Sequence, residues 1–378
     1  MPDHAPYGAD PLVIDMARAF AAEKLAPGAA AREKAGRIEP AIIAELGELG
    51  FLGATTAAEW GGSELDAVTY AMLVEEIAAG DGAVSTLVSV HNSPTCAVLE
   101  RFGTDAQKTR WLHPLASGAH VGSFALTEPQ AGSDASALVT RAVKKGDRYV
   151  VNGAKQFISS ASIPGSTVLF AVTDPAAGKK GLSCFVVDKA SPGYVIARTE
   201  EKLGQKASET CALAFDNLEI PEDQRIGAEG EGYRIALSTL ESGRIGIAAQ
   251  SVGMARAALD YAIAYARERG AFGRKIIEHQ AVGFRLVEAK TRLTAARELV
   301  LHAARRKAAG EDALEAACMA KLFASEMAEA VCSAAIQTLG GYGYLADYPV
   351  ERIYRDVRVC QIYEGTSDVQ KIILQRML

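Results

Sequence analysis

The sequence has few cysteines and no close pair of them. Its six cysteines stand far apart in the 378-residue chain, at Cys96, Cys184, Cys211, Cys318, Cys332 and Cys360. Zinc sites and disulfide frameworks need cysteines at short, regular spacings, often with histidines beside them. The sequence therefore predicts free thiols in a reducing compartment and no bound metal.

Long apolar runs and an excess of positive charge are also missing. No stretch reaches the ~18–20 apolar residues of a membrane span, and the N-terminus lacks a basic segment followed by an apolar core. The 40 Lys and Arg residues are outnumbered by 46 Asp and Glu residues, which gives a net charge of −6. We expect a soluble cytoplasmic protein without affinity for nucleic acid, in which a few local cations could still hold an anionic small ligand.

Several catalytic motifs are absent as well. The glycine-rich stretches at 227–232 and 340–343 are not G-x-G-x-x-G and do not follow a strand in a βαβ unit, so a Rossmann dinucleotide site is disfavoured. The chain has no G-x-x-x-x-G-K-[ST], G-x-S-x-G or H-E-x-x-H motif. These absences argue against P-loop phosphoryl transfer, serine hydrolysis and zinc-dependent proteolysis.

The residue pattern divides the chain into three segments, in keeping with roughly 150 residues per domain. Residues 1–120 repeat apolar side chains every three or four positions, the period of amphipathic helices. Residues 121–228 carry short β-branched runs such as STVLFAV and LSCFVVD. Gly146-Asp147 and Asn152-Gly153 between the runs are typical of tight hairpin turns. The sequence predicts an N-terminal α-helical domain followed by a middle antiparallel β domain.

Residues 229–378 return to the helical period. One predicted helix has apolar residues at alternating four- and three-residue steps, at Val282, Leu286, Ala289, Leu293, Ala296 and Val300. A second seam is predicted at Phe323, Met327, Ala330 and Ala334. Such seams are typical of long antiparallel helices in a four-helix bundle. The predicted fold class is therefore α+β and multidomain, with a C-terminal bundle.

Three polar islands interrupt the apolar pattern, at residues 124–134, 155–160 and 361–368. The first places hydroxyls and backbone N–H groups after a strand, and the second places hydroxyls after an aromatic residue. The third holds Glu364 between an apolar stretch and a glycine. Taken singly, the first two could be ordinary strand-ending turns, and Glu364 could be a solvated loop residue.

Taken together, the islands resemble the acyl-CoA dehydrogenase family along essentially the whole chain. ALTEPQAGSDASA at 125–137 resembles the first family signature, and QTLGGYGY at 337–344 resembles the second. YEGTSDVQ at 363–370 resembles the segment that carries the catalytic glutamate in the short- and medium-chain branches. Shorter matches occur at 267–273 and 278–280. The resemblance is closest to the short-chain and short branched-chain members.

The resemblance implies FAD bound without a covalent bond, between the β domain and the bundle of a homotetramer. Part of each FAD site would come from a second copy. Matching positions imply FAD contacts from Phe124, Ala125, Leu126, Thr127, Ser133, Phe157, Ile158, Ser159, Arg269, Phe272, Gln280, Gln337, Thr338, Leu339, Gly340, Gly341, Thr366 and Asp368. They imply substrate contacts from Ser133, Arg244 and Gly365. Arg244 could also be an ordinary arginine on a helix surface.

The implied reaction is α,β-dehydrogenation of an acyl-CoA to the trans-2-enoyl-CoA. Glu364 would take the α-proton, a hydride would pass to flavin N5, and an electron-transfer flavoprotein would accept the electrons. Burial would raise the pKa of the glutamate toward the range of an effective base. Some branches of the family place the base on the first bundle helix directly before an arginine, and here that position is Gly243.

The resemblance also bears on the substrate. Gly243-Arg244 and the SVHN segment resemble short-chain members, and residues 85–98 hold no Arg or Lys that could receive a dicarboxylate. We expect a straight or 2-methyl-branched acyl chain of about four to five carbons, as in the branches that degrade fatty acids or branched-chain amino acids.

Phe157 departs from the tryptophan of many members, and Gln130 and Asp368 also differ. A flavin oxidase or monooxygenase of the same fold, a non-catalytic CoA-binding protein and a structural helical assembly remain as alternatives.

Overall fold

The computed structural model describes residues 8–378, apart from the side chain of Leu240. The N-terminal part is helical, with α1 Pro11–Phe20, α2 Ala26–Ala35, α3 Pro40–Glu48, α4 Ala67–Gly80, α5 Gly82–Val90, α6 Ala97–Phe102, α7 Asp105–Gln107 and α8 His113–Ala116. Aspartates cap its two central helices. Asp66 accepts a hydrogen bond from the Val68 N–H at 2.7 Å to start α4, and Asp81 accepts one from the Ala83 N–H at 2.8 Å to start α5.

The middle part is a sheet built from β1 Ser123–Ala125, β2 Arg141–Lys145, β3 Arg148–Ser159, β4 Ser166–Val172, β5 Leu182–Asp188, β6 Tyr194–Thr199, β7 Thr210–Pro221 and β8 Arg225–Ile226. The strand order is β6-β7-β3-β2-β4-β5-β8, and β1 lies beside β4. Most neighbours are antiparallel, whereas β1 and β2 each pair with β4 in the parallel sense. The residues of β4 are buried along its whole length because the strand lies inside the sheet with both faces covered.

The two turn signals of this sheet have different outcomes. Gly146-Asp147 forms the tight turn between β2 and β3, with Gly146 at φ +63°. The prediction of a turn at Asn152-Gly153 is wrong, because both residues lie inside β3 at a β-bulge. Gly153 is required there, since a Cβ atom would lie 2.7 Å from the Thr140 Cα atom.

The C-terminal part is the predicted helix bundle. It contains α9 Gly232–Glu268, β9 Gly270–Ala271, β10 Arg274–Lys275, α10 Gln280–Ala308, α11 Leu314–Leu339, α12 Pro349–Val357 and α13 Ser367–Gln375. Helices α9, α10 and α11 pack lengthwise, and α12 and α13 pack on α11. Helix α4 packs on α9 and α10, so a single apolar core runs through the N-terminal helices and the bundle.

The seam residues of α10 are buried or half-buried as predicted, and Met327 and Ala334 of the predicted α11 seam are buried and half-buried, but the other two α11 seam residues are not. Phe323 is 39% exposed and Ala330 is exposed, although both were expected in the core. The buried face instead contains Ala317, Ala324 and Ala328, together with the side chain of Lys321. Small residues bring α11 close to α9, and this packing, rather than side-chain size, decides which face turns inward.

Three features of residues 8–378 bear on the predictions made from composition. All six cysteines are buried and unpaired. No helix among the described residues has the length and apolarity needed to cross a membrane. Within the same range, no group of three His, Cys, Asp or Glu side chains is arranged to hold a metal ion.

Candidate active site

Glu364 lies in a left-handed turn between the short helical segment 358–361 and α13. Its φ is +52°, and Gly365 follows at φ +86°. The Thr366 hydroxyl then accepts a hydrogen bond from the Val369 N–H at 3.2 Å and caps α13. Consecutive left-handed residues are costly outside glycine, so the surrounding contacts must hold Glu364 in this conformation.

The carboxyl group of Glu364 lies against α9. A Cβ atom at Gly243 would lie 2.6 Å from Glu364 Oε2, so the missing side chain of this glycine leaves the space that the carboxyl occupies. The residue as a whole is half-buried, but Oε2 is inaccessible and has no hydrogen-bond partner within residues 8–378. Burial raises the pKa of Glu364 above its usual 4.5, against the opposing charges of Arg244 and Lys321.

Arg244 follows Gly243 on α9 and faces inward. Only 6% of it is exposed, so the alternative of a surface arginine is wrong. Its Nε atom is buried without a hydrogen-bond partner in the described part of the chain. An unpaired buried donor beside a buried carboxyl is costly, which is typical of a site that receives a polar ligand group.

A buried polar network anchors Tyr363, the residue before Glu364. The Tyr363 hydroxyl donates a hydrogen bond to Gln250 Oε1 on α9. The Gln250 amide donates at 2.7 Å to Thr86 Oγ1 on α5, and Thr86 in turn donates to Gln205 Oε1 in the β domain. The backbone N–H of Gln205 donates to a carboxylate oxygen of Asp356 on α12. All three segments of the chain therefore help to position the residue next to Glu364.

A second buried interaction shapes the loop after β1. Lys155 Nζ lies 2.8 Å from Glu128 Oε1, and both side chains are buried. Lys155 also donates to the Leu126 carbonyl at 3.0 Å, and the Gln156 N–H donates to the Thr127 carbonyl at 2.9 Å. The first two polar islands are therefore held side by side. Lys155 can be buried here because its charge is balanced by the carboxylate of Glu128. That carboxylate also accepts hydrogen bonds from the backbone N–H groups of residues 139 and 140.

The predicted flavin-side residues differ in exposure. Phe157 is 63% exposed with φ +61°, so the backbone presents its ring to the surface. Ile158 is buried and Ser159 is half-buried, while Ser133 is exposed on the loop after β1. Phe124 packs on Phe170, with ring centroids 5.1 Å apart. The next residue, Ala125, is buried in β1. Leu126 and Thr127, which follow it, have half-buried side chains.

A groove brings most of the remaining predicted cofactor residues together at one end of the bundle. It has a volume of about 380 Å³, and its lining includes Arg269, Gln337, Thr338, Leu339, Gly340 and Gly341. The Arg269 guanidinium lies 5.4 Å from the centre of the Tyr342 ring. Phe272 is 97% exposed on the neighbouring β9–β10 turn, and Gln280 at the start of α10 is exposed as well. Neither of these lines the groove, and Asp368 is exposed on the first turn of α13.

These surfaces fit the parts of FAD. A Cβ atom on Gly340 or Gly341 would meet no atom within 4 Å, so the glycine backbone beside Arg269 is open to a ligand. A guanidinium beside a backbone without side chains suits a diphosphate. The exposed Phe157 ring and the neighbouring loop suit a planar aromatic system with a polar edge.

Models of three domains match the chain in sequence order. The acyl-CoA dehydrogenase N-terminal domain matches residues 10–119, the middle domain matches residues 123–218, and the C-terminal domain matches residues 230–378. The fold and the site thus define a flavoprotein oxidoreductase that acts on CH–CH groups. The chain belongs to the acyl-CoA dehydrogenase family, and FAD is its cofactor.

Individual relatives are similar over nearly the full chain. The short-chain specific acyl-CoA dehydrogenase of Clostridium acetobutylicum is 40% identical over 96% of both chains. The structure of butyryl-CoA dehydrogenase from Megasphaera elsdenii superposes with a TM-score of 0.94 at 38% identity, covering 97% of this chain and 96% of that one. A chain from a structure described as the electron transferring flavoprotein of Acidaminococcus fermentans gives a TM-score of 0.95 at 44% identity, with coverage of 97% and 96%.

Two residues at the site were not predicted from the sequence. Gln370 is buried and donates to the Glu364 carbonyl at 3.2 Å and to the Gly365 carbonyl at 2.9 Å. Lys321 is buried and donates to the same Gly365 carbonyl at 2.7 Å. The predicted α11 seam of Phe323, Met327, Ala330 and Ala334 does not include Lys321, so the sequence pattern does not predict its burial.

Proposed function

We propose that the protein converts a short-chain acyl-CoA, straight or 2-methyl-branched, into the trans-2-enoyl-CoA, with Glu364 as the base that removes the α-proton. The observation that carries this proposal is the buried, unpaired Oε2 of Glu364 against Gly243. A carboxylate without a hydrogen-bond partner is free to accept a proton, and its raised pKa makes it a stronger base than an exposed glutamate. When bound, FAD supplies the acceptor for the hydride from the β-carbon.

The residues around Glu364 supply the remaining chemistry. The acyl carbonyl gains negative charge as the α-proton leaves, and hydrogen bonds that strengthen with this charge lower the barrier. The backbone N–H of Glu364 is one such donor in this proposal. The Arg244 guanidinium, buried with an unpaired Nε, orients the substrate arm beside the base. Ser133 and Gly365 contribute further contacts to the coenzyme portion.

A close approach of helices supports a short acyl chain. Gly243 and Gly246 are three residues apart and share a face of α9. A Cβ atom at Gly246 would lie 3.0 Å from Ser89 Oγ on α5, so the two helices nearly touch at this level. The Glu364 carboxyl and this contact are separated by about 4.5 Å along the axis of α9. The names of the short-chain and butyryl-CoA relatives agree with this size.

We further propose an electron-transfer flavoprotein as the electron acceptor and a homotetramer as the working assembly. The likeness to a chain from a structure described by that flavoprotein's name supports the first proposal. Four large apolar side chains are exposed on the segments flanking the groove, which supports the second: Phe272 at 97%, Phe284 at 62%, Val287 at 63% and Tyr344 at 86%. Burial against other copies would complete the FAD site with Phe272 and Gln280 of a neighbour.

Flavin bleaching with a panel of acyl-CoAs tests the substrate. We expect butyryl-, isobutyryl- or 2-methylbutyryl-CoA to bleach the bound FAD faster than octanoyl-CoA, with isovaleryl-CoA as a 3-methyl-branched comparison, and a preference for octanoyl-CoA would contradict the short pocket. Oxygen consumption during turnover without an added acceptor would favour an oxidase.

Sedimentation velocity of the holoenzyme measures the assembly, and a monomer that keeps FAD would contradict the tetramer.

The Glu364→Gln variant tests the base. We expect it to bind FAD normally and to lose turnover by roughly 10²- to 10⁴-fold, because the amide cannot accept the proton. The matched control is Glu326→Gln, an exposed side chain paired with Lys371 away from the turn, which should leave turnover unchanged. Near-normal turnover in Glu364→Gln would remove Glu364 from its role.

A further inference from the structure

We propose that Lys321 is a positioning residue for Glu364, which holds the turn at residues 364–365 and supplies the positive charge that keeps the carboxyl ready to accept a proton. This inference rests on the proposed role of Glu364 as the base. It concerns a side chain on α11 that donates to the turn. No part of Lys321 is exposed to solvent.

The first observation is the hydrogen bond from Lys321 to the turn. Lys321 Nζ donates to the Gly365 carbonyl at 2.7 Å, and Gln370 Nε2 donates to the same oxygen at 2.9 Å. Two buried donors therefore converge on one carbonyl, directly after a residue with a left-handed backbone. Without these bonds, the backbone of Glu364 could relax from its left-handed conformation to one of lower energy.

The second observation is the cost of burying a lysine at this position. An apolar residue would pack on the α11 seam without desolvating a charge, whereas a buried ammonium requires nearby compensation. Only one hydrogen bond of Lys321 is found within residues 8–378, the bond to Gly365. A charge kept in such a place serves the neighbouring carboxyl, which itself has an unpaired oxygen.

The charged and titratable groups that face Lys321 come from each surrounding element. They are Glu364 from the turn, Arg244 from α9, Cys360 from segment 358–361 and Cys318 from α11 itself. Burial lowers the pKa of Lys321 to about 8, and Glu364 and the thiols oppose this shift. The positive charge of Lys321 is thus opposed by burial and supported by the neighbouring Glu364. This charge in turn lowers the pKa of Glu364, against the larger effect of burial.

The two actions of Lys321 make separate contributions. The hydrogen bond fixes where the carboxyl lies, which affects the rate at every pH. The charge offsets part of the burial effect, so that Glu364 is ionised at a lower pH than burial alone would allow. A purely structural lysine would change stability and FAD content without moving the pH profile.

The experiment compares Lys321→Met and Lys321→Gln with the wild-type holoenzyme, using butyryl-CoA over a range of pH. Methionine removes the donor and the charge, while glutamine keeps a donor and removes only the charge. We expect both variants to keep FAD, and the acid limb of kcat to move upward by about one pH unit in both. At the plateau we expect kcat to fall about ten- to a hundredfold in Lys321→Met and less in Lys321→Gln, with a smaller change in KM.

Controls separate this proposal from the role of Glu364. Lys371→Met removes an exposed lysine on α13 that is paired with Glu326 on α11, the helix of Lys321. This variant should leave the pH profile unchanged. Glu364→Gln is assayed in parallel, because activity in that variant would overturn the role of Glu364 itself. If Glu364→Gln is inactive while the Lys321 variants keep the wild-type acid limb and kcat, the role of Lys321 is wrong. Loss of FAD from both Lys321 variants would also overturn it in favour of a structural role.

Discussion

The Glu364 carboxyl occupies the space that a side chain at Gly243 would fill, with Oε2 2.6 Å from the position of the missing Cβ atom. A residue on the first bundle helix therefore decides whether a carboxyl from the last loop can reach the site. The two positions cannot both carry a side chain without a shift of one of them. This relationship explains in physical terms why a glycine precedes Arg244.

The first prediction is that Gly243→Ala lowers turnover while the protein stays folded and retains FAD. The added methyl group displaces the flexible end of Glu364 rather than backbone, so the cost falls on the position of the base. A displacement of about 1 Å can lower the rate roughly a hundredfold. Steady-state kinetics and the flavin absorbance of the purified variant measure the two effects. Unchanged kcat would show that the carboxyl can work from another position.

The second prediction concerns pH. Burial raises the pKa of Glu364 above 4.5, and the base must be ionised to act, so kcat should rise with pH through a midpoint above that of an ordinary glutamate. Below this midpoint the carboxyl is protonated and the reaction slows. The pH dependence of kcat with a saturating short-chain substrate measures the midpoint. A value at or below 4.5 would contradict a buried base in the enzyme–substrate complex.

The third prediction concerns the buried pair of Lys155 and Glu128. Lys155→Met leaves a buried carboxylate without its counter-charge and should lower the free energy of unfolding by about 3–5 kcal/mol. The double variant Lys155→Met with Glu128→Gln removes both charges and should recover part of this loss. Urea unfolding followed by tryptophan fluorescence measures the difference. Equal stability of the single and double variants would show that the pair is not coupled.

The fourth prediction separates backbone strain from cofactor contact at Phe157. A left-handed conformation costs a non-glycine residue about 1–2 kcal/mol, so Phe157→Gly should leave the apoprotein at least as stable as the wild type. The same change removes the exposed ring and should speed the loss of FAD. Phe157→Trp, which keeps an aromatic ring, should retain the cofactor. Flavin release after dilution is the measurement, and equal release rates in the two variants would contradict a stacking contact.

The fifth prediction is a coupling between Tyr363 and Gln250, whose side chains share a buried hydrogen bond. Gln250→Leu leaves the Tyr363 hydroxyl without this acceptor and should cost about 1–3 kcal/mol in stability. Tyr363→Phe removes the hydroxyl, so the double variant should be more stable than the sum of the two single effects implies. Thermal unfolding of all four proteins closes the cycle. Additive effects would show that the bond contributes nothing to the network.

Local patterns predicted much of the architecture because hydrophobic period and turn chemistry act over a few residues. The runs at residues 166–172 and 182–188 became β4 and β5 with the expected bounds. The seam of α10 was also predicted correctly. The sequence predicts a turn at Asn152-Gly153 where the structure has a bulge, because both favour glycine and only the partner strand distinguishes them.

The candidate site was predicted in part for a similar reason. Glu364 stands in a segment with a distinctive sequence, whereas the importance of Lys321 depends on which face of α11 turns inward. Periodicity favoured the face with Phe323, but close packing of small residues turned that side chain toward the surface. The space at Gly243 depends on a contact between residues 121 positions apart, which no local pattern encodes. Long-range packing therefore determines the parts of the site that the sequence did not reveal.

The polar network beneath Tyr363 draws one member from each part of the chain, with Thr86 from the N-terminal helices, Gln205 from the β domain and Gln250 from the bundle. Glu364, the proposed base next to this tyrosine, is therefore positioned by contacts from all three parts. A nascent or partly unfolded chain presents acyl-CoA with no positioned carboxyl. With Glu364 as the base, we expect chains that have not docked all three parts to be inactive, so that activity measures the fraction of fully assembled chains.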